Sequence, residues 1–286
     1  MIASLPDALV EPIVRAALAE DLGRAGDITS EACIPEDARL TATFGVRKAG
    51  VVSGLSCARL AIHALDPDAR FDIEAADGQT LQPGTVIARV EANARALLSA
   101  ERVALNLMGR MSGVASLTAL YVSEIAGTRA RIIDTRKTTP GLRALEKAAV
   151  RAGGGANHRG NLSDWILLKD NHLSVLGIPE AVRLAKERWP ARTVHVECDS
   201  LDQVAQALDA GADALLLDNM TPDEVRRAVE LADDHGGPRP LLEVSGGVTG
   251  ETVGAYARTG ADCISVGAIT NSAPVLDIGL DIEVAP

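Results

Sequence analysis

Short runs of leucine and β-branched residues recur through the second half of the chain, and stretches with helical spacing separate them. The runs cover residues 131–133, 165–168, 193–196, 214–217, 241–244 and 263–266. Between them, apolar residues recur at helical intervals, for example in 178–188 and 201–210. Strands that alternate with helices are typical of a parallel sheet with crossover helices, so we expect an α/β fold.

Polar groups or glycines follow almost every one of these predicted strands. In chain order the strand ends are marked by Asp134-Thr-Arg-Lys137, Lys169-Asp170, Glu197, Asp218-Asn219, Ser245-Gly-Gly247 and Gly267. A parallel barrel gathers such ends into one mouth, whereas an open doubly wound sheet spreads them along a crevice. No G-x-G-x-x-G opens a helix after a strand, which weakens a dinucleotide-binding alternative. We therefore favour a shortened barrel of six to seven strands.

The first third of the chain has a different pattern. An amphipathic helix is predicted at 12–23, and short strands such as 40–46 come after it, with turn signals at Asp77-Gly78 and Pro83-Gly84. Residues 95–127 are rich in helix formers, and the glycines near 109–113 predict a break in that helix.

Composition narrows the range of partners. The 286 residues carry a formal net charge of −11, which disfavours nucleic acid as the main partner. The four cysteines form no C-x-x-C pair, so we expect neither a zinc site nor a redox pair, and we expect reduced cysteines in a cytoplasmic protein. The N-terminus shows no signal peptide, and no apolar run approaches the ~20 residues of a membrane span. We therefore expect no membrane partner.

The segment 129–169 carries a net positive charge, opposite in sign to the charge of the whole chain. It holds nine Lys or Arg and three acidic residues, an excess of six positive charges. Arg136, Lys137, Arg159 and Lys169 stand at strand ends or in a glycine-rich loop that also carries His158. Arginine forks match carboxylates and phosphates in shape and charge, so we expect a ligand with several negative groups.

A helix is predicted directly after the first strand end. Thr139 is the expected N-cap, Pro140 the first helical residue and Gly153 the residue at which the helix ends. Three cations at i, i+4 spacing are expected to form its solvated outer face, namely Arg143, Lys147 and Arg151.

Two carboxylates, Glu197 and Asp218, follow consecutive predicted strands and would enter the same barrel mouth. Such a pair can hold a hydrated magnesium ion together with substrate phosphates, bind sugar hydroxyls, or act as acid and base. Structural ion pairing with Lys137 and Lys169 is the alternative.

Small residues follow the last two predicted strands. Ser245-Gly-Gly247 ends one of them, and Gly267 with Ala268 ends the next. Backbone N–H groups without side-chain obstruction can cradle a phosphate, and the phosphate sites of barrels often lie at the last strands. We therefore expect a phosphate group here.

Taken in order, these segments resemble the quinolinate phosphoribosyltransferase family, also called nicotinate-nucleotide pyrophosphorylase. The most specific segments are Asp134-Thr-Arg-Lys-Thr-Thr-Pro-Gly-Leu-Arg143, Gly153-Gly-Gly-Ala-Asn-His-Arg159 and Leu168-Lys-Asp-Asn-His172. Further matches lie at 19–23, 26–29, 100–106, 112–115, 217–219, 245–247 and 276–281. The resemblance covers nearly the whole chain.

This resemblance implies two domains and a homodimer. An N-terminal open α/β sandwich would span residues 1–110, and an incomplete parallel α/β barrel with the catalytic site would span 111–271. The tail, about 272–286, would return to the sandwich.

The resemblance also implies a reaction. Phosphoribosyl pyrophosphate and quinolinate would give nicotinate mononucleotide, pyrophosphate and carbon dioxide, with magnesium, in NAD biosynthesis. Residues around the quinolinate carboxylates would be Arg136, His158, Arg159 and Lys169, with Arg102 from the neighbouring subunit. Lys137 would face the pyrophosphate, and Glu197 and Asp218 would serve the ribose hydroxyls and magnesium.

The expected phosphate cradle comprises Ser245, Gly246, Gly247, Gly267 and Ala268. Thr135, Val266 and Asn271 complete the expected substrate-binding set, and the expected catalytic residues are Lys137, Lys169, Glu197 and Asp218.

Some positions depart from the family pattern. Asn271 stands where a histidine is common, Ala148 where an aromatic residue is common, and His195 where an acid is common. None of these changes removes a charged ligand group.

Three other functions are considered. A molybdenum-transport-associated relative shares the fold, but Lys169-Asp-Asn-His172 speaks against it. A barrel lyase would use Lys169 as a Schiff-base nucleophile. A non-enzymatic anion-binding protein would bind a ligand without turnover.

Overall fold

The computed structural model describes residues 5–283 and divides into two compact units. Among the described residues, the first unit comprises 5–119, 138–154 and 268–283, and the second comprises 120–137 and 155–267. The domain limits expected from the sequence, 1–110 and 111–271, stay a prediction. By contacts, the segment 138–154 groups with the first unit.

The first unit combines helices with short antiparallel strands. In chain order its elements are α1 (Asp7–Leu22), α2 (Ile28–Cys33), β1 (Arg39–Val46), β2 (Gly50–Val51), α3 (Leu55–His63), β3 (Arg70–Ile73), β4 (Thr80–Leu81), β5 (Val86–Asn93), α4 (Ala94–Glu124, ending in the second unit), α5 (Arg143–Ala152), α11 (Ala268–Asn271) and β12 (Ile278–Ile282). Four strands form a sheet in the order β12-β1-β5-β3, and β2 pairs with β4.

Alternating burial explains why this sheet forms. Along β5 the side chains of Ala88, Val90 and Ala92 are buried, whereas Arg89 and Glu91 are exposed. This period of two is typical of an antiparallel sheet with one covered face. The C-terminal strand β12 pairs antiparallel with β1, so the described end of the chain belongs to this sheet.

Helix α4 runs unbroken from Ala94 to Glu124, so the predicted break near 109–113 is wrong. The glycines allow close packing instead. A Cβ added at Gly113 would lie 1.9 Å from the carbonyl oxygen of Pro274. Four residues earlier, the carbonyl of Gly109 accepts a hydrogen bond from the backbone N–H of Leu276 at 3.0 Å. The C-terminal segment therefore lies directly on the helix backbone.

The same helix is the one described helix that is long and apolar enough to cross a membrane by length and composition. Within the protein, 67% of its apolar window is buried. Such burial is typical of a core helix in a folded unit.

Helix α5 begins later than predicted. It starts at Arg143 with Leu142 as N-cap, so the predicted cap at Thr139 and start at Pro140 are wrong, while the predicted end at Gly153 is confirmed. Thr139 donates from its N–H and its hydroxyl to the carboxylate of Glu146, at 3.1 and 2.8 Å.

The predicted solvated outer face of α5 is also wrong. The Glu146 side chain is fully buried and accepts from Arg110 Nη2 at 2.9 Å. Lys147, the next residue, is only 7% exposed, so the cations of α5 do not form a solvated face.

The second unit contains a parallel sheet with crossover helices. In chain order its elements are β6 (Arg131–Ile133), β7 (Ile166–Leu168), α6 (Asp170–Leu173), α7 (Ile178–Arg188), β8 (Val194–Cys198), α8 (Leu201–Asp209), β9 (Ala214–Asp218), α9 (Pro222–Asp234), β10 (Leu241–Ser245), α10 (Val253–Ala257) and β11 (Cys263–Ser265). The spatial order is β6-β11-β10-β9-β8-β7, and every neighbouring pair is parallel. All six predicted strands are confirmed.

Burial fixes the register of this sheet. Val244 pairs with Leu217 on one side and with Ile264 on the other, and all three are at most 1% exposed. The sheet ends at β6 and β7, and Ile133 of β6 forms an isolated bridge with Ala156. The fold is therefore the predicted α/β fold with an incomplete parallel barrel, here of six strands.

Replacing Gly113 by alanine tests the close approach to α4. We expect Gly113→Ala to lower the free energy of unfolding by about 2–3 kcal/mol, because a methyl group would overlap the Pro274 backbone. Chemical denaturation of both proteins measures the difference.

Gly250→Ala is the matched control, since no atom lies within 4 Å of a Cβ at that position. We expect a change within about 0.5 kcal/mol there. Equal stability of Gly113→Ala and the parent would contradict the proposed packing.

Candidate active site

A cavity of about 540 Å³ opens at the carboxyl ends of the strands of the second unit. Every strand of the sheet, or the loop after it, contributes to its lining. The lining residues are Thr135, Arg136, Lys137, His158, Arg159, Leu167, Lys169, Glu197, Leu216, Asp218, Asn219, Glu243, Ser245, Gly246, Gly247 and Ser265. The parallel sheet therefore brings the predicted strand ends together in one place.

Cations on the lining differ in their exposure. Arg136 and Lys137 follow β6 and are exposed, whereas Arg159 is 6% exposed. Burial lowers the pKa of the Arg159 guanidinium below its usual value, and the neighbouring Arg136 lowers it further. Asp164 and Glu243 oppose this effect. Arg159 keeps its charge at neutral pH, since an arginine pKa is normally above 12.

Asp134 holds the loop that carries His158 and Arg159. Its carboxylate is fully buried and accepts from Asn157 Nδ2 at 2.6 Å and from the backbone N–H of His158 at 2.9 Å. The loop backbone is also tied to β6, because the N–H of Ala156 donates to the carbonyl of Ile132 at 2.8 Å. The first strand end thus determines where the second cation-bearing loop lies.

An ion pair joins two of the predicted site residues. Lys169 Nζ lies 2.5 Å from Glu197 Oε2. The structural ion pairing that the sequence left open as an alternative is therefore present for Lys169 and Glu197. The Lys169 side chain nevertheless stays 44% exposed.

Glu197 and Asp218 both line the main cavity and also an adjoining one of about 330 Å³, together with Asp170 and Asp199. Oxygen ligands of this kind suit magnesium.

The glycine loop after β10 is shaped by Asn219. Gly246 has φ +93, and a Cβ there would lie 2.2 Å from Asn219 Oδ1. Asn219 has φ 56, donates from Nδ2 to Asp218 at 2.7 Å and donates its N–H to the carbonyl of Ser245 at 2.9 Å. A side chain at position 246 would displace this arrangement, so only glycine fits.

A second group of titratable side chains lies deeper in the sheet. Metal-ligating atoms of His158, His195 and Glu243 lie within 4.8 Å of one another. Trp165 stacks on His195 with ring centroids 5.2 Å apart and meets His158 edge-on at 5.0 Å. This cluster contains neither predicted magnesium ligand, and imidazole suits zinc or iron rather than magnesium.

Comparison with known proteins agrees with this geometry. The family model of the quinolinate phosphoribosyl transferase N-terminal domain matches residues 27–112, and that of the C-terminal domain matches residues 114–281. The chain belongs to the quinolinate phosphoribosyl transferase family. The resemblance inferred from the sequence motifs is thereby confirmed.

Individual relatives match over nearly the full length. The nicotinate-nucleotide pyrophosphorylase (carboxylating) of Mycobacterium leprae (strain TN) is 42% identical over 277 residues, covering 94% of this chain and 95% of the relative. A probable nicotinate-nucleotide pyrophosphorylase (carboxylating) of Bacillus subtilis (strain 168) is 40% identical over 269 residues, covering 93% and 91%. The solved nicotinate-nucleotide pyrophosphorylase structure from Francisella tularensis has a TM-score of 0.91 at 37% identity, covering 99% of both chains.

Most residues predicted for the site line the main cavity. These are Thr135, Arg136, Lys137, His158, Arg159, Lys169, Glu197, Asp218, Ser245, Gly246 and Gly247. Val266 and Gly267 belong to the same unit but are not part of the lining, and the N–H of Val266 donates to the carbonyl of Ile133 at 3.0 Å. Arg102, Ala268 and Asn271 belong to the first unit. The ligand roles of all these residues stay predictions.

Glu243 lines the cavity but is not among the site residues predicted from the sequence. This glutamate lies within the apolar run 241–244 and is 2% exposed. A single charged residue inside a strand that is otherwise predicted to be buried was the available signal, because buried charges need partners. Trp165 carried no comparable signal, since its ring contacts are with His158 in the preceding loop and with His195 on another strand. Asn219 was noted only as the polar residue that follows Asp218.

The pKa of His195 predicts a pH-dependent stability. Burial lowers it to about 4 from an ordinary 6.5; Glu243 and Asp213 oppose the shift, and His158 and Arg159 add to it. Between these pH values the unfolded chain binds a proton that the native state does not, so stability falls as pH drops through that range. The shift corresponds to about 3 kcal/mol.

We expect His195→Phe, which keeps a ring against Trp165, to lose this part of the acid sensitivity. The acid sensitivity is measured from the free energy of unfolding of the parent and of the variant at pH 4 to 8, each expressed relative to its own value at pH 8. A parent and variant with the same pH dependence would show that His195 does not titrate as inferred.

Proposed function

We propose that this protein transfers the phosphoribosyl group of phosphoribosyl pyrophosphate to quinolinate, with loss of carbon dioxide. The products are nicotinate mononucleotide, pyrophosphate and carbon dioxide, a step of NAD biosynthesis. Its membership of the family supports this reaction. The observation that carries it is one cavity of the second unit in which cations, three carboxylates and a glycine loop meet.

Each part of the cavity suits one part of the substrates. Arg136, His158, Arg159 and Lys169 offer donors to the two carboxylates of quinolinate, since charge-assisted hydrogen bonds of this type contribute about 1.5–3 kcal/mol each. Lys137 would meet the pyrophosphate, and Thr135 would add a hydroxyl. The N–H groups of 245–247 suit the 5′-phosphate, together with Val266 and Gly267 of the same unit.

The first chemical step is displacement at the anomeric carbon. The pyridine nitrogen of quinolinate forms a bond to this carbon while the bond to pyrophosphate breaks, and positive charge develops on the ribose ring. Glu197 and Asp218 are suited to stabilise that charge, and the cations stabilise the leaving pyrophosphate. Holding the two reactants in line can lower the barrier by roughly 7–11 kcal/mol.

Decarboxylation comes next, on the quaternised pyridine. The bond from the ring to its adjacent carboxylate breaks, the electron pair remains at the ring carbon beside the positive nitrogen, and a proton takes the place of carbon dioxide. The ring nitrogen provides the electron sink, so the protein needs mainly to orient the carboxylate. No separate catalytic base is required for this step.

Magnesium is part of the proposal. Glu197 and Asp218 line one cavity wall and would supply oxygen ligands there, which fits an ion held by one or two carboxylates and substrate phosphates. When bound, magnesium would offset the charge of the pyrophosphate.

A homodimer with shared sites is also proposed. Arg102 lies on α4 and is exposed, so it is available to another subunit. It would add one more cation at the quinolinate carboxylates of the neighbouring subunit. A cytoplasmic location fits the four cysteines, all of which are free thiols.

Incubation with quinolinate, phosphoribosyl pyrophosphate and magnesium tests the reaction. We expect nicotinate mononucleotide and carbon dioxide in equal amounts, and Lys169→Ala to reduce kcat/KM by about 100-fold or more because a carboxylate ligand loses its cation. Lys48→Ala, which removes an exposed lysine of the first unit, is the control and should retain activity. Absence of both products from the parent enzyme would overturn the proposal.

Complementation between inactive subunits tests the shared site. Arg102→Ala and Lys169→Ala homodimers should each be inactive. A purified heterodimer of the two has one site with both residues intact, and we expect it to regain activity through that site. Activity that fails to return in verified heterodimers would show that Arg102 acts within its own subunit.

A further inference from the structure

We propose that the ion pair between Lys169 and Glu197 makes the two substrates bind cooperatively. Glu197 holds the Lys169 ammonium, and the ammonium becomes fully available to quinolinate when the Glu197 carboxylate engages magnesium and phosphoribosyl pyrophosphate. The inference rests on the proposed function and adds a regulation of the same site. It predicts that each substrate raises the affinity of the protein for the other.

The register of the parallel sheet places the two side chains next to each other. Strands β7 and β8 are neighbours, and Leu168 pairs with Val196. The next residue along each strand direction is Lys169 on one side and Glu197 on the other. Lys169 Nζ and Glu197 Oε2 lie 2.5 Å apart. The strand pairing therefore determines which carboxylate the Lys169 ammonium meets.

Each partner of the ion pair is suited to a different substrate. Lys169 lines the main cavity among the cations that suit the quinolinate carboxylates. Glu197 lines both this cavity and the adjoining one of about 330 Å³, where the magnesium site is proposed. The ion pair thus engages an ammonium that one ligand needs and a carboxylate that the other needs.

The charges give the direction of the coupling. An ammonium and a carboxylate that pair with each other each attract a further ion less strongly, because their opposite fields partly cancel. A ligand that engages either member of the pair therefore leaves the other member more available. Coupling between two sites is reciprocal, so quinolinate and phosphoribosyl pyrophosphate assist each other by the same factor.

The ammonium is able to change partners. The Lys169 side chain is 44% exposed, whereas that of Glu197 is 12% exposed. A lysine has a flexible four-carbon stem and three donors, so its ammonium can turn from Glu197 towards a ligand carboxylate in the same cavity. The more buried carboxylate stays in place during this change.

Asp218 offers a matched comparison for the charge of Glu197. It lines the same two cavities, but its Oδ2 accepts from Asn219 Nδ2 at 2.7 Å, which is a neutral donor. Asp218→Asn therefore removes one negative charge from the cavity and leaves the pair of Lys169 and Glu197 intact. A general effect of cavity charge and a specific effect of the ion pair are thereby distinguishable.

Titration calorimetry with quinolinate alone tests the first half of the inference. We expect Glu197→Gln to bind quinolinate about fivefold more tightly than the parent, because the ammonium no longer has a competing carboxylate. Asp218→Asn should bind within about twofold of the parent, since its charge is screened and has no direct contact with the ammonium. Equal tightening in both variants, or a Glu197→Gln variant that binds no more tightly than the parent, would overturn the inference.

Phthalate tests the second half. It carries the two adjacent carboxylates of quinolinate without the ring nitrogen, so it cannot accept the phosphoribosyl group. Magnesium and phosphoribosyl pyrophosphate together should raise the affinity of the parent for phthalate about fivefold, and this gain should disappear in Glu197→Gln. A gain of the same size in the variant would contradict coupling through the ion pair.

Two controls keep the outcome clear. Circular dichroism checks that each variant is folded, and Glu197→Ser, which also removes the carboxylate, should reproduce the tightening if Glu197→Gln is unstable. Failure of the proposed reaction would appear separately, as a parent enzyme that forms no nicotinate mononucleotide.

Discussion

Like charges repel, and the candidate site depends on the carboxylates that offset this repulsion. Parallel strands bring Arg136 and Lys169 to the same end of one sheet, and the loop tied to Asp134 brings Arg159 there, where burial weakens the screening by water. Each buried or half-buried cation has an acid nearby: Glu197 lies 2.5 Å from the Lys169 ammonium, and Asp164 and Glu243 favour the charged Arg159. A protein with a strongly negative net charge can thus maintain a cavity lined by cations. A bound dianionic ligand would take over part of the charge neutralisation that these carboxylates provide.

Side-chain hydrogen bonds position two loops of the second unit. Asp134, at the end of β6, accepts from both Asn157 and His158, so the position of one strand end sets that of the next loop. The glycine loop after β10 depends on Asn219, which leaves no room for a Cβ at Gly246. Fixed loop positions of this kind suit the recognition of a planar dicarboxylate, which requires the ligand groups to be held within about 0.5 Å.

The first unit uses the same two devices in its core. Gly109 and Gly113 let the C-terminal segment lie against α4, and the fully buried Glu146 joins Arg110 to Thr139. Arg110 also donates to the carbonyl of Ala273 at 2.8 Å, so one side chain ties three segments distant in sequence. Close backbone packing and a satisfied buried ion pair therefore order a unit that is assembled from three pieces of chain.

Local pattern in the sequence determined the parallel α/β fold, all six barrel strands, the end of α5 at Gly153 and the strand-end residues that line the cavity. These features depend on hydrophobic periodicity and on the residues directly after each strand, and both are properties of neighbouring positions in the chain. Tertiary structure alone decided that α4 is continuous, that Thr139 binds Glu146 instead of capping a helix, and that Glu243 faces His158. The physical reason is that each of these depends on a partner outside the local pattern, which only packing brings within hydrogen-bond distance.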